Sequence, residues 1–216
     1  MRTYLRLKNR QSHKLPAEFQ DQDLRYPEEL VATFLRQFTG PGDVVLDPFA
    51  GYGTTLIVAE AMDRVPYGVE FDARRVGYIR SQLRQAANVV HGDSRQLLRY
   101  AIPPCDFSIT SPPFMAQSDT DDPLTNYTGA SAGYAAYLRD LVRIYEQVRQ
   151  LMKPGARVVL ELANLKGPAG VTTLAWDVAR ELAAVLRFEG EVVIAWDSYA
   201  YGYDHSYCMV FSRPSE

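Results

Sequence analysis

The sequence predicts an α/β fold with one mostly parallel sheet that is covered by helices. Short apolar runs alternate with segments of helical periodicity along most of the 216 residues, which is the pattern of strand–helix–strand units. The last two expected strands follow each other without an intervening helix, so an antiparallel strand should end the sheet. With 47% hydrophobic and 23% charged residues, the composition fits one folded domain and excludes a disordered chain.

Five segments carry apolar residues at the three- and four-residue spacing of a helix. The first opens at Pro27, a residue that is favoured at helix starts because its ring fixes φ. The longest stops at Lys153-Pro154-Gly155, since proline and glycine do not continue a helix well. The helices are expected at 27–38, 53–62, 73–87, 135–152 and 172–186.

Seven short apolar runs predict the strands, because such runs bounded by turn residues fit strands that are buried in a sheet. The turn Gly40-Pro41-Gly42-Asp43 precedes the first of them. A polar stretch from Met115 to Ser131 is expected to be irregular. The strands are expected at 44–47, 66–71, 88–91, 106–110, 157–162, 191–196 and 207–211.

The 23 basic and 26 acidic residues give a net charge of −3, but the charges are unevenly distributed. Residues 1–14 contain basic residues and no acidic one, and residues 64–99 are rich in arginine. We therefore expect residues 1–26 to form a basic N-terminal arm and residues 27–216 to form a single domain. Basic regions favour a polyanionic partner, although ordinary solvated surfaces would give the same pattern.

Neither a membrane segment nor a secretion signal is indicated by the sequence. No run of about 18 apolar residues occurs, and no apolar run follows the N-terminal basic residues. The two cysteines, Cys105 and Cys208, are too few for a disulfide framework or a zinc site. We expect a cytoplasmic protein without a bound metal.

A glycine-rich turn joins the first expected strand to the second helix. Ligands of doubly wound sheets bind beyond the carboxyl ends of the strands, where glycine allows close approach of the backbone. Leu56 stands where a dinucleotide-binding turn would carry its third glycine, so a pyrophosphate ligand is disfavoured. Asp47 at the strand end instead favours a ligand with an amine. The turn reads Asp47-Pro48-Phe49-Ala50-Gly51-Tyr52-Gly53-Thr54-Thr55.

Two further acidic residues follow the next two expected strands. Glu70 ends the second strand, where a carboxylate can accept hydrogen bonds from ribose hydroxyls, and Phe71 beside it can cover an adenine ring. Asp93 follows the third strand and can accept a hydrogen bond from an adenine amino group. Together with Asp47, these residues fit an adenosine joined to a charged amino acid, such as S-adenosylmethionine.

A second motif, Ser111-Pro112-Pro113-Phe114, follows the fourth expected strand. The two prolines fix the backbone and lack N–H groups, so the turn presents the Ser111 hydroxyl and nearby carbonyls as rigid acceptors. Phe114 offers a flat surface for stacking. Such an array suits the exocyclic amino group of a base, because hydrogen bonds accepted from its N–H groups expose the nitrogen lone pair for direct displacement. Cys105 precedes the strand, so attack on a base by a thiolate is not indicated.

From about Tyr26 to Phe211 the chain resembles the amino-methyltransferases, in particular the DNA N4-cytosine and N6-adenine methyltransferases. The turn from Asp47 to Thr55 looks like the cofactor loop of that family. The Ser111–Phe114 turn looks like its catalytic motif, in the serine form that is commoner among N4-cytosine enzymes. The resemblance implies a Rossmann-like class I methyltransferase fold with S-adenosylmethionine as the cofactor.

The resemblance also implies roles by position. The stretch around Phe19 to Pro27 takes the place of a segment that helps to close over methionine. Glu70 would hold the ribose, and Phe71 and Asp93 would hold the adenine. The residues that would hold the methionine part are Asp47, Phe49, Ala50, Gly51, Gly53 and Thr54. The residues that would hold the target base and its amino group are Ser111, Pro112, Pro113 and Phe114.

DNA is the partner that the resemblance implies, with cytosine N4 favoured over adenine N6 as the methylated atom. The alternatives are guanine N2 or adenine N6 of RNA, a protein glutamine, and a non-catalytic cofactor-binding subunit. Only 115–131 and the N-terminal arm are spare for reading a DNA sequence, so specificity is expected from them, from a homodimer or separate specificity subunit, or not at all. The acidic residues 119–122 beside the catalytic turn disfavour a phosphate backbone there. A restriction–modification role and an orphan role remain equally open.

Overall fold

The computed structural model describes residues 2–125, 133–168, 170–199 and 201–214. Residues 126–131 of the expected irregular stretch lie outside this part. The α-helices are α1 (Glu28–Phe38), α2 (Thr54–Ala61), α3 (Ala73–Gln82), α4 (Tyr134–Leu151) and α5 (Leu174–Leu182). The strands are β1 (Tyr4–Leu7), β2 (Val44–Asp47), β3 (Val65–Glu70), β4 (Val89–His91), β5 (Cys105–Thr110), β6 (Met152–Leu162), β7 (Leu165–Gly167), β8 (Gly170–Thr172), β9 (Arg187–Trp196) and β10 (His205–Ser212).

The main sheet has the strand order β1-β9-β10-β6-β5-β2-β3-β4. Its neighbouring strands are parallel except at β10, which is antiparallel to both β6 and β9. The predicted mostly parallel α/β fold with an antiparallel terminal strand is therefore confirmed. The carboxyl ends of β2, β3, β5 and β6 lie along one edge of the sheet, because these strands are parallel.

The main sheet contains eight strands rather than the predicted seven. The additional strand, β1, pairs in parallel with β9 at the edge of the sheet, with Leu5 opposite Ile194. The sequence analysis missed it because only one side of Tyr4-Leu5-Arg6-Leu7 is apolar and basic residues surround it. A separate two-stranded hairpin, formed by β7 and β8, was also not predicted.

Several element boundaries also differ from the predicted ones. Helix α3 ends at Gln82 instead of residue 87, because the Glu60 carboxylate accepts hydrogen bonds from the backbone N–H groups of Arg84 and Gln85. These contacts replace helical hydrogen bonds at the end of α3. Helix α5 ends at Leu182 instead of residue 186, and β9 begins at Arg187 instead of residue 191.

Two apolar clusters lie on opposite sides of the sheet. Helix α1 packs with residues of β9 and β10, including Ile194 and Cys208, on one side. Helices α4 and α5 pack with residues of β6 and β10, including Leu160 and Phe211, on the other side. Each fully buried large apolar side chain contributes roughly 1.5–3 kcal/mol. In the described part of the chain, none of the helices is both long and apolar enough to span a membrane.

Gly53 sets the direction of the turn between β2 and α2. Its φ of +82° lies in the left-handed region, and a Cβ at this position would be 2.9 Å from Ile79 Cγ2. Its N–H donates to the Ala50 carbonyl at 2.7 Å. Glycine satisfies both the backbone angle and the close approach of α3.

Gly53→Ala is expected to lower the free energy of unfolding by about 1–3 kcal/mol, because it adds backbone strain and a clash with Ile79. Gly77→Ala is the matched control, since a Cβ at Gly77 in α3 would have no neighbour within 4 Å. The control should raise the stability by about 0.5–1 kcal/mol through helix propensity. Urea unfolding curves measure both values, and equal stability of the two variants would contradict the strain at Gly53.

Candidate active site

A cavity of about 640 Å³ opens at the edge of the sheet where β2, β3, β5 and β6 end. This volume lies within the range of about 300–1,000 Å³ that is typical of small-molecule sites. Every residue that the sequence analysis selected lines the cavity except Gly53. The selected lining residues are Asp47, Phe49, Ala50, Gly51, Thr54, Glu70, Phe71, Asp93, Ser111, Pro112, Pro113 and Phe114.

Asp47 lies at the carboxyl end of β2, and its side chain is almost completely buried. Its Oδ1 accepts a hydrogen bond from the Phe49 N–H at 3.0 Å, and its Oδ2 lies 3.5 Å from the Tyr26 hydroxyl. Burial raises the pKa of Asp47, while the hydroxyls of Thr110 and Thr55 act in the opposite direction. A cation in the cavity would stabilise the ionised carboxylate.

Glu70 at the end of β3 connects the glycine-rich turn to the next loop. Its Oε2 accepts a hydrogen bond from the Gly51 N–H at 2.8 Å, and its Oε1 accepts one from the Asp72 N–H at 2.9 Å. Burial raises the pKa of Glu70, and these two backbone contacts act against the rise. Because each carboxylate oxygen can accept more than one hydrogen bond, Glu70 can still bind a hydroxyl in the cavity.

Phe71 and Asp93 line the part of the cavity next to Glu70. Phe71 is 38% exposed, so a ligand in the cavity could contact it. Asp93 is engaged within the protein, since its Oδ2 accepts a hydrogen bond from Arg95 Nη2 at 2.7 Å. A hydrogen bond from a ligand would share this carboxylate with Arg95.

The segment before α1 covers one side of the cavity, and residues 23–27 line it. Tyr26 is held in place by a hydrogen bond between its hydroxyl and the hydroxyl of Thr55. Earlier in the segment, the Phe19 ring packs on Tyr52 of the glycine-rich turn, with 5.3 Å between the ring centroids. The stretch that the sequence analysis placed over the cofactor therefore lies against the cofactor loop.

The turn Ser111–Phe114 is held by contacts with three other side chains. The Ser111 hydroxyl donates to Glu161 Oε2 at 2.9 Å, and the Pro113 carbonyl accepts a hydrogen bond from the Tyr137 hydroxyl at 2.9 Å. The ring of Phe114 packs on that of Tyr201, with 5.4 Å between the centroids. Tyr201 itself has a φ of +63°, an unusual value for a tyrosine. These contacts hold the turn in its position at the cavity.

Glu161 is a site residue that the sequence analysis did not identify. It lies near the end of β6, is buried, and lines the cavity. Its Oε1 accepts a hydrogen bond from the Tyr199 hydroxyl at 2.9 Å, while its Oε2 accepts the one from Ser111. Burial raises the pKa of Glu161, and the hydroxyls of Ser206, Tyr199 and Ser111 lower it. The sequence feature that could have identified Glu161 is an acidic residue within the otherwise apolar end of an expected strand.

The acidic residues after the catalytic turn stabilise their own loop. Asp122 is fully buried, and its Oδ1 accepts a hydrogen bond from the Leu124 N–H at 2.9 Å. Asp119 Oδ2 accepts one from the Ala116 N–H at 2.7 Å. These two hydrogen bonds order the backbone of the loop.

The residues of the cavity fit S-adenosylmethionine on the chemistry of their side chains. Asp47, Glu70 and Asp93 follow three adjacent strands, so they would offer carboxylates to an amine, a ribose and an adenine at one edge of the sheet. Phe71 supplies an exposed aromatic ring beside them. In the described part of the chain, no group of three or more His, Cys, Asp or Glu side chains is arranged to hold a metal ion.

Solved structures of methyltransferases have the same fold. The chain aligns with TrmN from Thermus thermophilus over 86% of its length and 48% of that protein, with a TM-score of 0.60 and 21% identity. It aligns with an S-adenosylmethionine-dependent methyltransferase from Methanosarcina mazei over 85% of its length and 98% of that protein, with a TM-score of 0.60 and 10% identity. The protein therefore has the Rossmann-like class I methyltransferase fold.

Residues 4–81 match the N6/N4 family described as DNA methylase. It is 42% identical over 52 residues to the type II methyltransferase M.BglII of Bacillus subtilis, which is 24% of this chain and 14% of that protein. It is 34% identical over 82 residues to the DNA adenine methyltransferase YhdJ of Escherichia coli, which is 38% of this chain and 27% of that protein. The chain thus matches about a quarter or less of the length of these relatives.

Proposed function

We propose that the protein transfers a methyl group from S-adenosylmethionine to an exocyclic amino group of a DNA base, with cytosine N4 as the acceptor. The hydrogen bond from the Ser111 hydroxyl to Glu161 is the observation that carries the proposal. Because the hydroxyl proton is committed to Glu161, the lone pairs of Ser111 Oγ are free to accept a hydrogen bond from an amino group. Ser111 follows β5, which is the sheet neighbour of the strand that ends at Asp47.

The chain's contribution to this reaction is to hold the reacting groups in place. S-adenosylmethionine supplies an electrophilic methyl group when it is bound. Asp47 would hold the amine of its methionine part and Glu70 its ribose, which fixes the position of the methyl group in the cavity. Ser111 and a carbonyl of the turn would accept hydrogen bonds from the amino group, which directs the nitrogen lone pair towards the methyl carbon.

The transfer itself is a single displacement. Bound S-adenosylmethionine would supply the methyl group: the base nitrogen would bond to the methyl carbon, and the electron pair of the broken carbon–sulfur bond would stay on sulfur. The methylated nitrogen would then release one proton to solvent, and no covalent enzyme intermediate would be required. Phe114 would stack on the extruded base, since a base within a duplex must leave the helix to reach the cavity.

Cytosine N4 is preferred because Ser111 gives the turn the serine form that resembles the N4-cytosine enzymes. The named relatives do not distinguish the two bases, since one of them is called a DNA adenine methyltransferase. Adenine N6 is therefore the alternative acceptor, and it would use the same residues.

A methyl-labelled cofactor shows directly which polymer the protein methylates. The protein is incubated with duplex DNA, single-stranded DNA and RNA of mixed sequence, and the label in each polymer is counted. We expect label in DNA. Label in RNA alone would show that the substrate is an RNA base and would contradict the proposed DNA substrate. Cofactor binding without label in any polymer would indicate a non-catalytic subunit.

Phe114→Ala is expected to slow methyl transfer by about tenfold to a hundredfold while leaving the cofactor affinity within twofold. Stacking of a base on an aromatic ring contributes about 1–3 kcal/mol, and within the protein the Phe114 ring packs on Tyr201. Phe188→Ala is the matched control, because Phe188 is 39% exposed and packs on Phe211 away from the cavity. Transfer rates and calorimetric cofactor binding measure the effect, and an unchanged rate would remove Phe114 from the base site.

A further inference from the structure

The side of the sheet opposite α1 is only partly covered at its β1 edge. On the α1 side, β9 and β1 bury Ile194 and Leu7 in an apolar cluster. On the other side, α5 packs on β10, while Val193 and Ala195 of β9 stay partly exposed. Tyr4 of β1 is 53% exposed on this side. The sheet therefore presents an uncovered surface next to α5.

The strand register places large side chains on both sides of small ones on this surface. Tyr4 of β1 and Tyr207 of β10 both pair with Val193 of β9. Arg6 and His205 pair with Ala195 in the same way. Directly paired residues point to the same face of a sheet. The rows Tyr4–Val193–Tyr207 and Arg6–Ala195–His205 therefore form a shallow trough, with the small residues of β9 at its floor. We call this the open face, and it consists of Tyr4, Arg6, Trp176, Val193, Ala195, His205 and Tyr207.

Aromatic rings continue from the open face towards the catalytic turn. The Trp176 ring, which is 43% exposed, lies 5.0 Å from that of Tyr207, and Tyr207 lies 5.3 Å from His205. His205 lies 5.2 Å from Tyr203. Two residues before Tyr203, Tyr201 lines the cavity and packs on Phe114. The carboxyl end of β1 also leads into the cavity, since Asn9 and Gln11 line it.

The charges around the open face favour an anionic partner. Arg2, Arg6 and Lys8 are exposed, and within the described ranges none of them forms an ion pair with a carboxylate. Lys166 Nζ lies over the Tyr203 ring, 4.1 Å from its centroid. The nearby acidic side chains include Glu191, Asp204, which is hydrogen-bonded to His205, Asp197, which accepts a hydrogen bond from the Asn9 N–H, and Asp177, which pairs with Arg180.

We propose that the open face binds unpaired nucleotides of the DNA strand that carries the target base. Aromatic rings bind any base by stacking, and free arginine and lysine side chains bind the adjacent phosphates. The rows of Val193 and Ala195 leave room for bases between the tyrosines. A strand lying there would enter the cavity past Tyr201, so the extruded base would reach Ser111 with its neighbours held. This inference rests on the proposed function and names the form of its substrate.

Fluorescence anisotropy with a labelled single-stranded DNA of mixed sequence tests the open face. Trp176→Ala and Tyr4→Ala/Arg6→Ala should each raise the dissociation constant by about tenfold, because each removes one stacking surface. The matched control is Leu98→Ala/Arg99→Ala, which also removes an exposed apolar and an exposed arginine side chain but lies between β4 and β5. The dissociation constant of the control for the DNA should stay within twofold of that of the wild-type protein. All variants should keep the wild-type affinity for the cofactor.

Unchanged DNA binding in both open-face variants would overturn the inference. So would a loss of self-association in Trp176→Ala, seen by sedimentation with unchanged DNA binding, because a second copy would then cover this face. Binding is measured without turnover, so failure of the proposed function is recognised separately. A protein that binds DNA through the open face but methylates no DNA would refute the proposed activity and leave the open face in place.

Discussion

Asp47→Asn should weaken S-adenosylmethionine binding by about a hundredfold without unfolding the protein. The Asp47 carboxylate is buried at the end of β2 and lines the cavity, where it would meet the amine of the cofactor. Asparagine has the same size and can still accept the hydrogen bond from the Phe49 N–H, but it carries no charge. Removing one partner of a buried, hydrogen-bonded charge pair costs about 2–5 kcal/mol, and this range includes a hundredfold change.

The stability of Asp47→Asn separates a binding defect from a folding defect. Burial raises the pKa of Asp47 above its ordinary value, so its contribution to stability is fully present below the unfolded pKa and is lost as the pH rises through the folded pKa. At pH 7 the neutral asparagine should therefore not lower the melting temperature.

Calorimetric titration of the cofactor measures the effect of Asp47→Asn. Asp63→Asn is the matched control, because Asp63 is exposed and has a φ of +63°, which asparagine tolerates well. Its cofactor affinity should not change. An unchanged affinity in Asp47→Asn as well would remove Asp47 from the cofactor site.

Glu161→Gln should slow methyl transfer by about thirtyfold and leave the cofactor affinity nearly unchanged. Glu161 accepts hydrogen bonds from both Ser111 and Tyr199, one at each oxygen. Glutamine has one acceptor oxygen and one NH₂ group, so it cannot accept both of them in the same arrangement. A hydrogen bond to a charged group contributes about 1.5–3 kcal/mol, which corresponds to a factor of ten or more in rate. Glu161 thus acts as a positioning residue through Ser111.

The pH dependence of transfer distinguishes this role from a purely structural one. Burial raises the pKa of Glu161 above its ordinary value, so protonation on acidification occurs at a higher pH than for an exposed glutamate. The protonated carboxyl no longer accepts as before from Ser111, and the transfer rate should fall as the pH drops through this raised pKa. When the cofactor is saturating, the part of the acidic limb that Glu161 causes should be absent in Glu161→Gln.

Glu189→Gln is the matched control for Glu161→Gln. Glu189 also accepts a hydrogen bond from a serine hydroxyl, that of Ser212 at 2.6 Å, but it does not line the cavity. Its substitution should change neither the transfer rate nor the pH profile. If Glu161→Gln kept the rate and the acidic limb of the unchanged protein, Glu161 would have no part in positioning Ser111.

Most of the candidate site follows from short sequence patterns at strand ends. Asp47, Glu70 and Ser111 could be located because the carboxyl ends of parallel strands meet at one edge of the sheet, so local motifs become neighbours. Glu161 could not be paired with Ser111 in advance, since 50 positions separate them and only the packing of β6 beside β5 brings them together. Tyr26 is a similar case, because its contact with Thr55 depends on how the preceding segment folds back.

The fold was predictable where the hydrophobic periodicity is strong, and it was less predictable at the edge of the sheet. Helix α4 has a continuous apolar stripe and begins and ends within one residue of the expected limits 135–152. Strand β1 is only four residues long and buries one side, so its pattern is too short to separate from a charged arm. Its pairing with β9 is a long-range contact, and it changes the interpretation of the basic residues, since Arg6 belongs to the sheet.

Identification of the methylated nucleoside tests the central claim most directly. DNA of mixed sequence is incubated with the protein and S-adenosylmethionine, digested to nucleosides and analysed by mass spectrometry against reference compounds. The serine form of the Ser111–Phe114 turn predicts N4-methylcytosine, and the Ser111–Glu161 hydrogen bond predicts a strong reduction of this product with Ser111→Ala. N6-methyladenine alone would contradict the assignment to cytosine. Methylation at a ring carbon, such as 5-methylcytosine, would contradict the proposed role of the turn as the acceptor for an amino group.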